Sequence, residues 1–249
     1  KLVPLWFGTL KNAISCYTPE WVKTDLGRFP RAETTPGVPS WTISPLCREV
    51  TDCDARAFAS LMARIGEVDP KGDTVILVQV ENESGILNAP RDYSALANAA
   101  FAAEVPELLL RHLKVNAASL HPEFMPTWER SRENAGNWSQ VFGIDADEVF
   151  MAWHIAGLVE AVTAAGRAEY DLPMFTNAWL CGGPGFPPGT YPSGGPIPKM
   201  FDIWRAAAPS VDFLSPDIYQ PNFREHCAAF AVDGNPLFVF NLWEPALID

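Results

Sequence analysis

The chain has 249 residues, 48% of them hydrophobic, and a formal net charge of −12. Its length fits one large domain or two small ones, and its composition is that of an ordinary globular protein. Lysine and arginine are scattered without a basic stripe, which argues against nucleic acids and other polyphosphates as partners. No apolar run approaches the ~18 residues that a membrane-spanning helix requires, so we expect no membrane partner.

Five short apolar runs predict buried strands, and each is followed by polar, glycine or proline residues. The runs are continuously apolar instead of alternating, which indicates a parallel sheet that is covered on both faces. The predicted strands span residues 2–8, 74–80, 173–179, 211–219 and 236–240.

Helical patterns lie between the predicted strands. Apolar residues at three- and four-residue spacing predict a helix that runs to about residue 65, with Thr51 or Asp52 as its N-cap. Further helices are predicted over 94–113, with an interruption at Pro106, and over 145–168 and 199–207. The alternation of strands and helices predicts an α/β fold.

Long segments rich in proline and glycine follow three of the strands, at 9–50, 114–145 and 180–198. Loops at the carboxyl ends of parallel strands build the active sites of (β/α)8 TIM barrels, so we predict this fold. A doubly wound sheet is the alternative, but no GxGxxG follows the first strand. A closed barrel needs eight strands. We therefore expect one partial catalytic domain over 1–249, with about strands three to seven and with unpaired edges.

The segment TVILVQVENESG, residues 74–85, changes from apolar to polar at Glu81, Asn82 and Glu83. At the mouth of a barrel, burial and a neighbouring carboxylate raise the pKa of a carboxyl group, which can then donate a proton near neutral pH. Paired carboxylates are the usual machinery of glycoside hydrolysis. The alternative is that Glu81 and Glu83 form a solvated strand end or lie at a helix N-terminus.

QVENESG resembles the QVENEYG motif of glycoside hydrolase family 35, the β-galactosidases of the clan A barrels. The resemblance extends over nearly the whole chain, and it is closest to the bacterial branch. It implies a retaining, exo-acting enzyme that needs no cofactor or metal and that acts on β-galactoside oligosaccharides or polysaccharides. It also implies a periplasmic or extracellular location. The other similar segments are LWFGTLKNAISCYTPEWVKTD, PMFTNAW, YPSGGP, FLSPDIYQP and GNPLFV.

The resemblance also implies roles for individual residues. Glu83 matches the acid/base, Asn82 matches the residue that hydrogen-bonds the 2-hydroxyl of the sugar, and Glu81 matches a sugar-contacting or supporting position. For the tryptophans, core packing is as good an explanation as sugar stacking, and the lysine is equally well explained as a surface charge. The remaining cleft candidates are Trp6, Lys11, Asn12, Asn177, Trp179 and Tyr219.

The chain departs from the family at the nucleophile of the seventh strand. The family pattern PLFVPEA is replaced by PLFVFNLWEPALID, which puts Asn241 at the aligned position. Because an amide cannot attack an anomeric carbon, Glu244 is the candidate nucleophile. Three residues along a strand span roughly 10 Å, whereas the carboxyls of a retaining site lie about 5–5.5 Å apart. Truncation or a reading-frame error is the alternative explanation.

Other chemistries find little support. The four histidines show neither HxH nor HExxH, so no metal site is predicted. No GxSxG is present, which argues against an α/β-hydrolase. The five cysteines lack CxxC, so we expect buried free thiols.

Three functional hypotheses remain open. The first is a β-galactosidase, or a related barrel glycosidase such as a β-glucosidase, mannanase or arabinosidase. The second is a sugar-binding protein without catalysis, which Asn241 favours. The third is a chain that does not fold stably because strands are missing.

Overall fold

Five parallel strands form one sheet in the computed structural model, which describes residues 1–131, 135–181 and 185–242. A separate antiparallel hairpin follows the first strand. The strands are β1 (Leu5–Lys11), β2 (Arg31–Thr35), β3 (Val38–Ile43), β4 (Val78–Asn82), β5 (Met174–Trp179), β6 (Phe213–Ile218) and β7 (Asn241–Leu242). The order in the sheet is β1-β4-β5-β6-β7. Each strand of this sheet therefore lies beside the strand of the same sheet that precedes it in the chain. Barrels add strands in one direction in this way, whereas a doubly wound sheet reverses at a switch point.

The predicted α/β fold is confirmed, and four predicted strands are present with boundaries shifted by a few residues. The fifth prediction, 236–240, is wrong, because the strand begins only at Asn241. Side chains hold the preceding segment instead: Ser215 Oγ donates to the Phe238 carbonyl at 2.6 Å, and the Phe238 ring packs 5.2 Å from Phe175. The apolar run 236–240 therefore packs against the sheet through its side chains and does not pair with it as a strand.

The helices lie in the segments that connect the strands. They are α1 (Glu20–Thr24), α2 (Arg48–Val68), α3 (Ala95–Ala102), α4 (Glu107–Val115), α5 (Met125–Ser131), α6 (Trp138–Phe142), α7 (Ala146–Glu169), α8 (Phe201–Ala207) and α9 (Phe223–Phe230). The predicted break at Pro106 is confirmed, since this proline separates α3 from α4 and is the N-cap of α4. The predicted caps of α2 are wrong: the helix begins one turn earlier, with Cys47 at the N-cap, and thereby buries Val50.

Two expectations from composition need correction. The helical segment Trp138–Glu169 is long and apolar enough to cross a membrane, although the sequence had suggested no such run. In its most apolar window, 61% is buried inside the protein, where α7 packs along α2 and α8. None of the five cysteines forms a disulfide, as predicted, but only Cys47 is buried and Cys16 is exposed.

The long segments after the strands contain more regular structure than predicted. Residues 9–50 include α1 and the β2–β3 hairpin, and 114–145 includes α5 and α6. The segment after β5 packs against the turn that follows β4, where Ile86 and Ser193 exchange two backbone hydrogen bonds of 3.0 and 2.9 Å. Gly85 makes this close approach possible, since an added Cβ would lie 2.3 Å from Pro192. The loops thereby fix the end of β4.

Candidate active site

The predicted polar residues meet at the carboxyl-terminal edge of the sheet. Lys11 is in register with Asn82, and Asp217 is in register with Trp179 on one side and with Asn241 on the other. Parallel strands end at the same edge, so this register gathers the polar ends of β1, β4, β5, β6 and β7. Asp217 was not among the predicted site residues, and the structure adds it.

The two glutamates after β4 separate into different environments. In a regular strand, Glu81 and Glu83 would point to the same face. Both adopt left-handed backbone conformations, with φ of 60° and 47°, which are uncommon for residues that carry a Cβ. Glu81 is completely buried, whereas Glu83 lines a cavity of about 300 Å³. The strained turn thus divides one motif into an interior carboxyl and a cavity carboxyl.

Glu81 joins β4 to β1. Its carboxyl accepts hydrogen bonds from the backbone N–H groups of Thr9 and Leu10, both at 2.9 Å. The Thr9 N–H also donates to Asp54 Oδ2 at 2.7 Å, and Trp6 Nε1 donates to Asp54 Oδ1 at 2.8 Å. Burial raises the pKa of Glu81 well above its usual range, and the neighbouring Asp54 raises it further. The Glu81 carboxyl is therefore biased toward its protonated form, in which it can donate a hydrogen bond to Asp54.

Two of the predicted site residues, Glu81 and Trp6, lie outside the cavity that Glu83 lines. Glu81 has no exposed surface and supports β1 instead of facing the cavity. Trp6, which donates to Asp54, lines a separate apolar cavity of about 210 Å³ with Tyr17 and Trp21. The backbone at Gly8 makes room for Asp54, because an added Cβ would lie 2.0 Å from Asp54 Oδ1.

Glu83 lies in a polar setting built from three strands. Asn12 Nδ2 donates to the Glu83 carboxylate, and the Glu83 N–H donates to Asn177 Oδ1 at 2.9 Å. Burial raises the pKa of Glu83, although the nearby Asp217, Lys11 and Asn12 act in the opposite direction. The Glu83 carboxyl is thereby both oriented and biased toward its protonated form.

Asp217 lies beside Glu83 in the wall of the same cavity. Its Oδ2 accepts hydrogen bonds from Asn177 Nδ2 at 2.6 Å and from Asn241 Nδ2 at 3.1 Å. Its Oδ1 is buried without a donor in the part of the chain that the structure describes, and the Glu83 carboxyl lies within hydrogen-bonding reach. Burial raises the pKa of Asp217 to about 7, and the charge on Glu83 contributes. Two touching carboxyls cannot both ionise cheaply, so they hold one proton to near-neutral pH.

A network of side-chain amides fixes the residues around this pair. Gln79 Nε2 donates to Asn82 Oδ1 and to Asn177 Oδ1, both at 3.0 Å. Asn82 Nδ2 donates to Asn12 Oδ1 at 3.2 Å, and Lys11 Nζ donates to the same oxygen at 2.5 Å. Connected hydrogen bonds of this kind hold each side chain in one orientation before any ligand binds.

Two aromatic side chains form part of the cavity wall. Trp179, at the end of β5, and Tyr219, just after β6, are 37% and 51% exposed. Both combine a flat apolar surface with a polar group, which suits contact with a sugar ring. Of the predicted residues, Asn12, Glu83, Trp179 and Tyr219 line the cavity, while Lys11, Asn82 and Asn177 lie directly behind it. The candidate nucleophile Glu244 falls outside the described residues.

Sequence reasoning missed Asp217 although it had singled out the surrounding segment. FLSPDIYQP entered the resemblance, but only Tyr219 was taken from it as a site residue. The rule that identified Glu83, a carboxylate at the carboxyl end of a buried strand, applies equally to Asp217 at the end of β6. What the sequence could not give is the register that sets Asp217 beside Asn241 and Glu83.

Comparisons with known proteins find likeness in structure alone. No protein-family model and no curated protein matches the chain. A β-galactosidase from Bacillus circulans sp. alkalophilus is similar with a TM-score of 0.42 and 16% identity, over 83% of this chain and 29% of that one. A β-galactosidase from the psychrophilic Marinomonas ef1 is similar with a TM-score of 0.43 and 13% identity, over 81% and 29%. This chain thus spans less than a third of the length of either structure.

Proposed function

We propose that this chain carries the acid/base and the sugar-binding surface of a retaining glycoside hydrolase that cleaves terminal β-galactosides. The observation that supports the proposal is the placement of Glu83. Its carboxyl lines a cavity beside Trp179 and Tyr219, and a second carboxyl, that of Asp217, lies within hydrogen-bonding reach. A carboxyl can protonate a leaving group only if it keeps its own proton near neutral pH. Burial raises the pKa of Glu83, which favours the protonated form that this role requires.

The proposal extends to the fold and to the sugar. The one-directional order of the five parallel strands supports a partial (β/α)8 catalytic domain over residues 1–249. The choice of galactosides rests on the resemblance of QVENESG and the segments around it to family 35. A β-galactoside oligosaccharide or polysaccharide is the proposed substrate, and no nucleic acid or membrane partner is proposed.

The proposed reaction uses Glu83 twice. First, its carboxyl donates a proton to the glycosidic oxygen as the bond from the anomeric carbon to that oxygen breaks. A carboxylate nucleophile bonds to the anomeric carbon on the other side, and Glu244 is the candidate for this role. The Glu83 carboxylate then takes a proton from water, which displaces the nucleophile and releases the sugar. Asn82, held beside Glu83, would bond the 2-hydroxyl.

A second candidate function is sugar binding without turnover. Asn241 stands at the position where the family pattern has the nucleophile, and its side chain donates to Asp217 inside the site. An amide cannot form the glycosyl ester that a retaining mechanism needs. Unless Glu244 supplies that carboxylate, the cavity would bind the sugar and leave its bond intact.

The test is a panel of p-nitrophenyl glycosides, with β-galactoside, β-glucoside, β-mannoside and arabinoside. The unmodified chain is compared with Glu83→Gln and Glu244→Gln, and with Glu225→Gln on the exposed face of α9 as a matched control. We expect the highest rate on the galactoside, loss of turnover in both site variants, and an unchanged rate in the control. Full activity of Glu244→Gln would remove that residue from the proposal.

Galactose binding separates the two candidate functions. A fluorescence change on addition of galactose that disappears in Trp179→Phe, without turnover of any glycoside, would favour the sugar-binding protein. A folded chain that neither hydrolyses nor binds any of these sugars would overturn both functions. Cooperative thermal unfolding of the unmodified chain establishes that the protein tested is folded.

A further inference from the structure

Asp217 lies in the same cavity as Glu83, yet the proposed reaction gives it no role. We propose that Asp217 is a positioning residue that shares a single proton with Glu83, so that the pair keeps one proton until a substrate binds. The inference deepens the proposed function and depends on it for its catalytic meaning. The shared proton itself can be observed without any turnover.

The hydrogen bonds of Asp217 leave one of its two carboxyl oxygens without a donor among the described residues. Both amide donors, Asn177 and Asn241, bond to Oδ2, whereas Oδ1 is buried with no donor from the described residues. A buried carboxylate oxygen without a donor costs free energy. A proton between Oδ1 and the Glu83 carboxyl removes that cost, and the two groups are within reach of each other.

The charges that surround the pair favour the same arrangement. Lys11 acts on Glu83 from β1, and its Nζ is held on Asn12 Oδ1. Asn177 and Asn241 approach from β5 and β7 as neutral donors, while burial raises the pKa of the Tyr219 hydroxyl, which is therefore also neutral. One lysine beside two ionised carboxylates would leave a net negative charge in a partly enclosed site. A single bound proton brings the group to neutrality.

The pair consequently titrates as one unit, and the shared proton is the last to leave, near neutral pH. In the proposed reaction, Glu83 transfers this proton to the glycosidic oxygen, and the pair is then fully ionised. The proton that Glu83 takes from water in the second step restores the starting state. Asp217 touches no substrate atom in this scheme, and its effect is to set the pH range in which Glu83 can donate.

The experiment is a carbon NMR titration of the full chain labelled with ¹³C at the aspartate side-chain carboxyls. The Asp217 resonance is identified by its loss in Asp217→Asn, or in Asp217→Ser if the first variant does not fold. We expect a midpoint of about 7 in the unmodified chain and in the Glu225→Gln control. In Glu83→Gln, the midpoint should fall by about one pH unit or more, because the second charge is gone and an amide can donate to Oδ1.

An unchanged midpoint in Glu83→Gln would overturn the shared proton. The reciprocal measurement with labelled glutamate carboxyls should show a single titration step for Glu83 in Asp217→Asn, in place of the two steps of an interacting pair, which a merely structural role of Asp217 would not produce. A lowered midpoint in a chain without turnover supports the shared proton while the galactosidase proposal fails. Turnover with an unshifted midpoint supports the galactosidase and refutes the role of Asp217.

Discussion

Two carboxyl pairs lie near the same edge of the sheet, and their surroundings differ. Asp54 and Glu81 are enclosed, and their oxygens accept from backbone N–H groups and from an indole. Glu83 and Asp217 border a cavity, accept from side-chain amides and leave one oxygen without a donor among the described residues. Burial raises the pKa of a carboxyl in both pairs. The comparison teaches that a raised pKa does not by itself identify the candidate site, because the enclosed pair has one too. Access from the cavity and an open bonding position are what distinguish Glu83 and Asp217.

The largest expected effect comes from removal of the cavity carboxyl. Glu83→Ala should lower the rate of p-nitrophenyl β-galactoside hydrolysis by about 10²–10⁴-fold, since it removes a general acid/base. Added azide should restore part of the rate and yield β-galactosyl azide, because this nucleophile needs no base to release the sugar from the enzyme. The product is identified by chromatography and mass spectrometry. Equal rates without azide in Glu83→Ala and in the unmodified chain would place the acid elsewhere.

The interior pair should respond through stability. Gly8→Ala would place a Cβ 2.0 Å from Asp54 Oδ1 and push the pair away from β1. We expect the free energy of unfolding in urea to fall by about 1–3 kcal/mol, as for other overpacked interiors. Gly157→Ala is the matched control, because its Cβ meets nothing within 4 Å on the exposed side of α7. Equal stability of the two variants would argue against a structural role for the pair.

The interior pair also predicts a pH dependence of stability. The pKa of Glu81 is raised in the folded chain, so between its unfolded pKa of about 4.3 and its folded pKa the folded state binds more protons. Stability is therefore fully present at low pH and decreases as the pH rises through this window. Glu81→Gln removes this contribution. The free energy of unfolding of the variant, relative to that of the unmodified chain, should therefore increase as the pH rises. Urea unfolding at several pH values measures the difference, and parallel curves would contradict the assignment.

The smallest effects are expected at the aromatic wall. Trp179→Ala should weaken galactose binding roughly fivefold, a loss of about 1 kcal/mol for one aromatic contact. Trp41→Ala is the control, since Trp41 is 81% exposed and lies outside the cavity. Calorimetric titration with galactose distinguishes them, and equal affinities would show that Trp179 makes no sugar contact.

The contrast between the two pairs shows what the sequence could predict. Apolar runs and their polar ends predicted the α/β fold and the edge at which Glu83, Asn177 and Trp179 meet. They could not separate Glu81 from Glu83, because that depends on left-handed backbone at both residues and on amides of β1, far away in the chain. Pairings between distant residues, such as Asp54 with Glu81, are set by packing and have no local signal in the sequence.

The most direct test of the account is the rate of p-nitrophenyl β-galactoside hydrolysis, per folded molecule, in Glu83→Gln and Glu81→Gln. The same atoms are exchanged two residues apart, so the comparison isolates the environment. The account predicts that the rate of Glu83→Gln falls by about 100-fold or more. The rate of Glu81→Gln, per folded molecule, should stay close to that of the unmodified chain. Equal losses, or a larger loss at Glu81, would contradict the division between a carboxyl pair for chemistry and a carboxyl pair for structure.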